Sequence, residues 1–186
     1  VSAARRILLT LPAVLGLPVA QAALVRPGAT PAADIGFVLM ALASFAVTVL
    51  GAWLLATALL AGIDGAPWRP GPRALVRTLA VAAIVGACAV VHPLLALPAL
   101  VLAALLLPAL AAGEGVRAGL RGFRRHPGRS ALLAVATLAL CLLGWLTALI
   151  TGLFVTGALG ALLCWFGFAL AGAIALAGST ALLRRP

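Results

Sequence analysis

Cutting the chain wherever Arg, Asp or Glu interrupts it leaves four long charge-free runs: residues 7–25, 35–63, 78–113 and 130–183, of 19, 29, 36 and 54 residues. A helix rises about 1.5 Å per residue and the hydrocarbon of a bilayer is about 30 Å thick, so one crossing takes about 20 apolar residues. The first two runs make one crossing each. The last would be about 81 Å long as a single helix, so it must fold back on itself. Its densest cluster of small and hydroxyl side chains, Thr151-Gly152 to Thr156-Gly157, is the expected turn.

The 36-residue run is divided by His92-Pro93. Proline lacks a backbone donor and turns the preceding residue away from helix, so the first half should end near Val91. That half can recruit residues 74–77 at its start, with the Arg77 side chain reaching back to the head groups along its apolar stem. The second half, from Leu94, carries Pro98 and Pro108, which should bend or shorten it unless neighbouring groups satisfy the freed carbonyls. The pattern predicts an all-α, polytopic transmembrane bundle in one domain, 1–186. Its six spans fall near 7–25, 35–61, 74–91, 94–112, 131–150 and 157–182.

Charge orients this arrangement. The 13 basic residues are all arginine, against three acids, for a formal charge of +10. With both termini on the cytoplasmic side, 12 of the 13 arginines border that side and Arg26 alone, beside Asp34, lies outside. Such asymmetry is what orients spans in a bilayer. It accounts for the basic balance without a nucleic-acid partner and predicts a multi-pass protein of the cytoplasmic (inner) membrane. Arginine used to the exclusion of lysine points to a bacterial source. The first segment admits a second reading, since Arg5-Arg6, an apolar stretch and Ala20-Gln21-Ala22 together look like a signal peptide with its cleavage site. Cleavage there would leave five spans.

Composition narrows the chemistry. With 65% apolar and 9% charged residues and a mean hydropathy of +1.27, the chain has too little polar surface for a soluble domain. It has two histidines, no tyrosine and no lysine, and Cys88, Cys141 and Cys164 all lie inside apolar runs, where a thiol packs as a small hydrophobe. No cluster has the spacing of a zinc site. The topology puts His92 and His126 on opposite membrane faces, about 30 Å apart, too far for a haem shared within one subunit. No catalytic residue, metal or cofactor is therefore expected. His92 is read as a polar cap on an outer turn.

Residues 114–126 stand out by their periodicity. At 100° per residue, Val116, Leu120 and Phe123 fall within about 60° of one another, and Arg117, Arg121, Arg124 and Arg125 fill the next sector. This is the pattern of a short helix lying in the inner leaflet, its apolar stripe at the acyl boundary and its guanidinium groups on anionic head groups. Arg129 extends the basic set, which either binds lipid phosphate or an acidic partner or only fixes topology. Gly115, Gly119 and Gly122 weaken the helix, and Glu114 can pair with Arg117 one turn on. In the last span, Ala169, Ala173, Ala177 and Ala181 recur every fourth residue, beside a second small row of Gly167, Ala171, Ala175 and Ser179. Small rows allow close helix approach, either against the fifth span or in an oligomer.

From about Leu97 to Leu143 the chain runs through an apolar helix with a proline near its end, Glu114-Gly115-Val116, an Arg/Leu amphipathic stretch and another apolar helix. This order resembles the multi-span membrane domain associated with glycerophosphoryl diester phosphodiesterases and with stand-alone bacterial and archaeal membrane proteins. The resemblance covers about a quarter of the chain. It implies six helices and, with the soluble phosphodiesterase domain missing, no enzymatic activity.

Three roles are expected of such a chain. The first is a non-catalytic accessory or scaffold subunit, packed on another membrane subunit or a second copy of itself, or a protein that organises anionic lipid. The second is a component of a small-solute transporter, with a path lined by spans broken at Pro93, Pro98 and Pro108. The third is a membrane-embedded enzyme acting on lipid phosphate, for which the spans offer no general base.

Overall fold

The computed structural model describes residues 3–24, 34–64, 71–155 and 157–183, and among these every regular element is a helix. There are seven: α1 (Ala3–Leu24), α2 (Ile35–Asp64), α3 (Pro72–Val91), α4 (Pro93–Ala111), α5 (Val116–Arg125), α6 (Pro127–Phe154) and α7 (Ala158–Leu183). Five of them, α2, α3, α4, α6 and α7, contain stretches long and apolar enough to cross a membrane, and α1 has a shorter apolar stretch over Thr10–Leu24. Arg26, Arg69, Arg184 and Arg185 of the charge tally lie outside the described residues, as do the side chains of Arg5 and Arg6.

Local chemistry sets the helix ends. Asp34 Oδ1 accepts the Phe37 backbone N–H at 2.6 Å and so caps α2. His92 serves two helices at once. Its backbone is extended, its N–H closes α3 onto the Cys88 carbonyl, and its Nδ1 accepts the Leu94 N–H to open α4. Pro93 stands at the first position of α4, where its missing donor costs nothing. At the other end of α4, Gly113 adopts φ +86, a region that favours glycine. This lets the Glu114 N–H return to the Ala109 carbonyl at 2.9 Å.

One helix keeps its expected length despite its prolines, and one runs further than expected. α4 continues unbroken through Pro98 and Pro108. α6 begins at Pro127, earlier than 131, and passes 151 to end at Phe154. The helix can continue into the expected turn cluster because Thr147 and Thr151 donate to the carbonyls of Leu143 and Thr147 and so need no partner outside the helix. The fold-back comes at Val155 to Gly157, where Gly157 has φ +87 and Thr156 lies outside the described residues.

α4 and α7 form the middle of the bundle. α7 packs against α1, α2, α4 and α6, and α4 packs against α2, α3, α6 and α7, while α3 touches only α2 and α4 among the described helices. The central cluster is Ala13, Leu55, Ala56, Leu59, Leu107 and Leu176, drawn from α1, α2, α4 and α7. Outside it the bundle is clad in exposed apolar side chains, such as Ile84, Leu132, Trp145 and Ile174. A large apolar exterior on a helical bundle suits lipid and not water. The protein is membrane-embedded, and its described residues form a helical bundle.

Glycines set the closest approaches. A Cβ on Gly51 of α2 would lie 2.7 Å from Leu17 Cδ1 of α1, and one on Gly178 of α7 would lie 2.7 Å from Leu133 Cδ1 of α6. Gly51→Val should therefore overpack the α1–α2 contact and lower stability by about 1–3 kcal/mol. A lower thermal midpoint of the purified protein in detergent, largely restored by adding Leu17→Ala, is the expected result.

Candidate functional site

The corner where α4, α5 and α6 meet holds most of the described arginines. Two turns join these helices, 112–115 before α5 and His126 after it, so α5 is held at both ends. Its residues fall into three sectors, one more than the two recognised by periodicity. Val116 and Leu120 are 47% and 46% exposed, so the apolar stripe is not covered by the bundle; the Phe123 side chain lies outside the described residues. Arg117, Arg121, Arg124 and Arg125 are exposed on the neighbouring sector, and Arg129 is exposed one turn into α6. The third sector contains buried Gly119 and half-buried Ala118. It is the face that rests on α4, because a Cβ on Gly119 would meet Leu106 Cδ2 at 2.9 Å and Ala109 Cβ at 3.4 Å. Glycine at that position, read from the sequence as a weakness of the helix, is what lets α5 lie flush on α4.

Arg77 fixes the same corner from α3. In place of reaching the head groups, its Nη1 donates to the Leu110 carbonyl at 3.0 Å and to the Glu114 carbonyl at 3.4 Å. The physical reason is that the last turn of α4 has carbonyls without intrahelical partners, and a guanidinium a short distance away can satisfy them. Glu114 thus joins the corner through its backbone, its N–H on α4 and its carbonyl on Arg77. His126, between α5 and α6, has φ −133 and ψ 68, neither helical nor extended, and its carbonyl accepts the Ser130 hydroxyl at 2.9 Å. Its Nε2 is buried without a hydrogen-bond partner among the described residues.

The remaining candidates are scattered. His92 and His126 sit at opposite ends of the bundle, separated by the whole length of α4. Cys88, Cys141 and Cys164 are free and half-buried on three different helices. Among the described residues no three His, Cys, Asp or Glu side chains converge in a way that could hold a metal ion. The buried hydroxyls of Thr78, Thr137, Ser179 and Thr180 donate to carbonyls of their own helices. Of the alanine row on α7, Ala169 is buried and Ala181 is exposed. Ala173 and Ala177 pack on the central cluster of α1, α2 and α4 residues. The sector meeting α6 is a different one, marked by Gly178 against Leu133 and by Phe168 against Gly144.

Comparison with protein families, with curated proteins and with solved structures finds no match to this chain. The resemblance to the phosphodiesterase-associated membrane domain gains no support from them, and the function is inferred from geometry alone.

Proposed function

We propose that the chain is a non-catalytic membrane protein of six spans, both termini cytoplasmic, that holds α5 against the inner leaflet of a bacterial cytoplasmic membrane and gathers anionic lipid there. The carrying observation is the three-way division of α5: a glycine face on α4, an open apolar face and an open arginine face. A helix divided in this way enters the acyl boundary with one side and meets phosphate with the next. The bundle supplies what an isolated amphipathic peptide of ten residues lacks, a fixed depth and a fixed rotation. An accessory or scaffold role builds on this, with lipid or a further membrane subunit assembled around the platform. A transport path through broken helices draws no support from α4, which is continuous through Pro98 and Pro108.

The test is one of sidedness. With the three native cysteines replaced by alanine, a single cysteine at Gly113 or Val116 should react with an impermeant maleimide only after the membrane is permeabilised. Labelling in intact cells would put α5 on the outer face and overturn the reading.

A further inference from the structure

α1 is tied to α2 by a closed polar cluster. Gln21 is wholly buried, at 0% exposure. Its Nε2 donates to the Ser44 carbonyl at 2.7 Å and to Thr48 Oγ1 at 2.8 Å, and its Oε1 accepts the Ser44 hydroxyl at 2.7 Å. Thr48 Oγ1 passes its own hydrogen to the Ser44 carbonyl at 3.0 Å. Both amide hydrogens and the amide oxygen are therefore used, as an apolar surrounding demands. The buried hydroxyls of Thr78, Thr137, Ser179 and Thr180 bond within their own helices, whereas this cluster crosses from one helix to another over 23 and 27 residues of sequence.

The same glutamine is the centre of Ala20-Gln21-Ala22, the triplet that reads in the sequence as a signal-peptide cleavage site. We infer that this triplet is not a processing site, and that residues 3–24 remain in the mature protein as a permanent membrane helix latched to α2 by Gln21. Two independent features argue for it. The triplet is helical inside α1, and a protease must first open such a segment locally. Opening here breaks the three hydrogen bonds of a fully buried Gln21 side chain. Further down, α1 is part of the core. Pro18 is fully buried, Ala13 belongs to the central cluster, Leu17 fills the notch at Gly51, and α1 packs on α7 as well as on α2. A segment destined for removal has no reason to complete the core of what stays behind.

The inference rests on the six-span reading for α1 alone. It is tested on the full chain, carrying a carboxy-terminal tag and expressed in a bacterial host with active signal peptidase. The intact mass of the purified protein should include residues 3–24; a chain beginning at Ala23 overturns the proposal. Should such a cut chain still show α5 labelled only after permeabilisation, the lipid platform stands while the latch falls. A second measurement probes the latch itself. With the native cysteines replaced by alanine, Leu17→Cys and Gly51→Cys should form a disulfide on mild oxidation, seen as the loss of two maleimide-reactive thiols. Adding Gln21→Leu should slow that reaction by a factor of ~3 to ~30, the range of interhelical hydrogen bonds in membranes. Thiols that stay free, or a rate indifferent to Gln21→Leu, would overturn the latch.

Discussion

Replacing Arg117, Arg121, Arg124 and Arg125 together by glutamine is expected to lower the affinity of the protein for anionic lipid about 10³-fold at low salt. Each basic side chain near an anionic surface contributes about 1 kcal/mol, so four supply about 4 kcal/mol, and about 1.4 kcal/mol is a factor of ten. All four are exposed, while α5 is seated on α4 through the opposite, glycine-bearing sector. The variant should therefore keep its fold, with stability within about 0.5 kcal/mol of the parent, as is usual for surface changes. The measurement is a titration of the purified protein in neutral detergent with phosphatidylglycerol, and with phosphatidylcholine as the uncharged comparison. Only the first isotherm should weaken. Raising ionic strength from 0.1 M to 1 M shortens the screening length from about 10 Å to about 3 Å. The difference between parent and variant should then largely vanish. Equal affinities at low salt would reduce these arginines to markers of orientation.

That arginine face was legible in the sequence because a helical period repeats locally and needs no knowledge of the rest of the fold. The break at His92-Pro93 was legible for the same reason: proline acts on its immediate neighbour, and α3 does end at Val91. What the sequence hid depends on residues far apart in the chain. Gln21 looked like the middle of a cleavage triplet because its partners, Ser44 and Thr48, lie on another helix. Gly119 looked like a flaw in α5 because one letter stands for two effects, poor helix propensity and close approach, and only the nearness of Leu106 and Ala109 decides between them. The shortening that Pro98 and Pro108 would impose on an isolated helix does not occur: α4 is central, flanked by α2, α3, α6 and α7, and stays continuous. The turn after α6 falls in the far half of the cluster expected to hold it, because Thr147 and Thr151 satisfy their hydroxyls within the helix. Span number is read from the lengths of the charge-free runs and sidedness from the asymmetry of the arginines.

Arg77 separates the two uses of a positive charge at a membrane border. Counted by sign it is one more residue that orients α3, yet its guanidinium is spent on the Leu110 and Glu114 carbonyls at the corner that launches α5. Arg77→Leu should therefore cost about 1.5–3 kcal/mol, the range for hydrogen bonds to a charged group. The Leu110 carbonyl would keep the Gly113 N–H at 3.2 Å, so the corner should loosen without unfolding the bundle. The place to look is the pair of amides that close this corner, Gly113 on Leu110 and Glu114 on Ala109. Their hydrogen exchange should quicken by roughly 10- to 100-fold, the equivalent of that energy if local opening limits the exchange. Arg73→Leu is the matched control. Arg73 lies one turn earlier on α3, is exposed, and carries the same charge. Removing it should leave both amides protected, and Arg77→Lys should fall between the two, since an ammonium can donate but lacks the planar fork. If Arg73→Leu and Arg77→Leu moved the two amides equally, the charge and not the bonding of Arg77 would be what holds α5 in place.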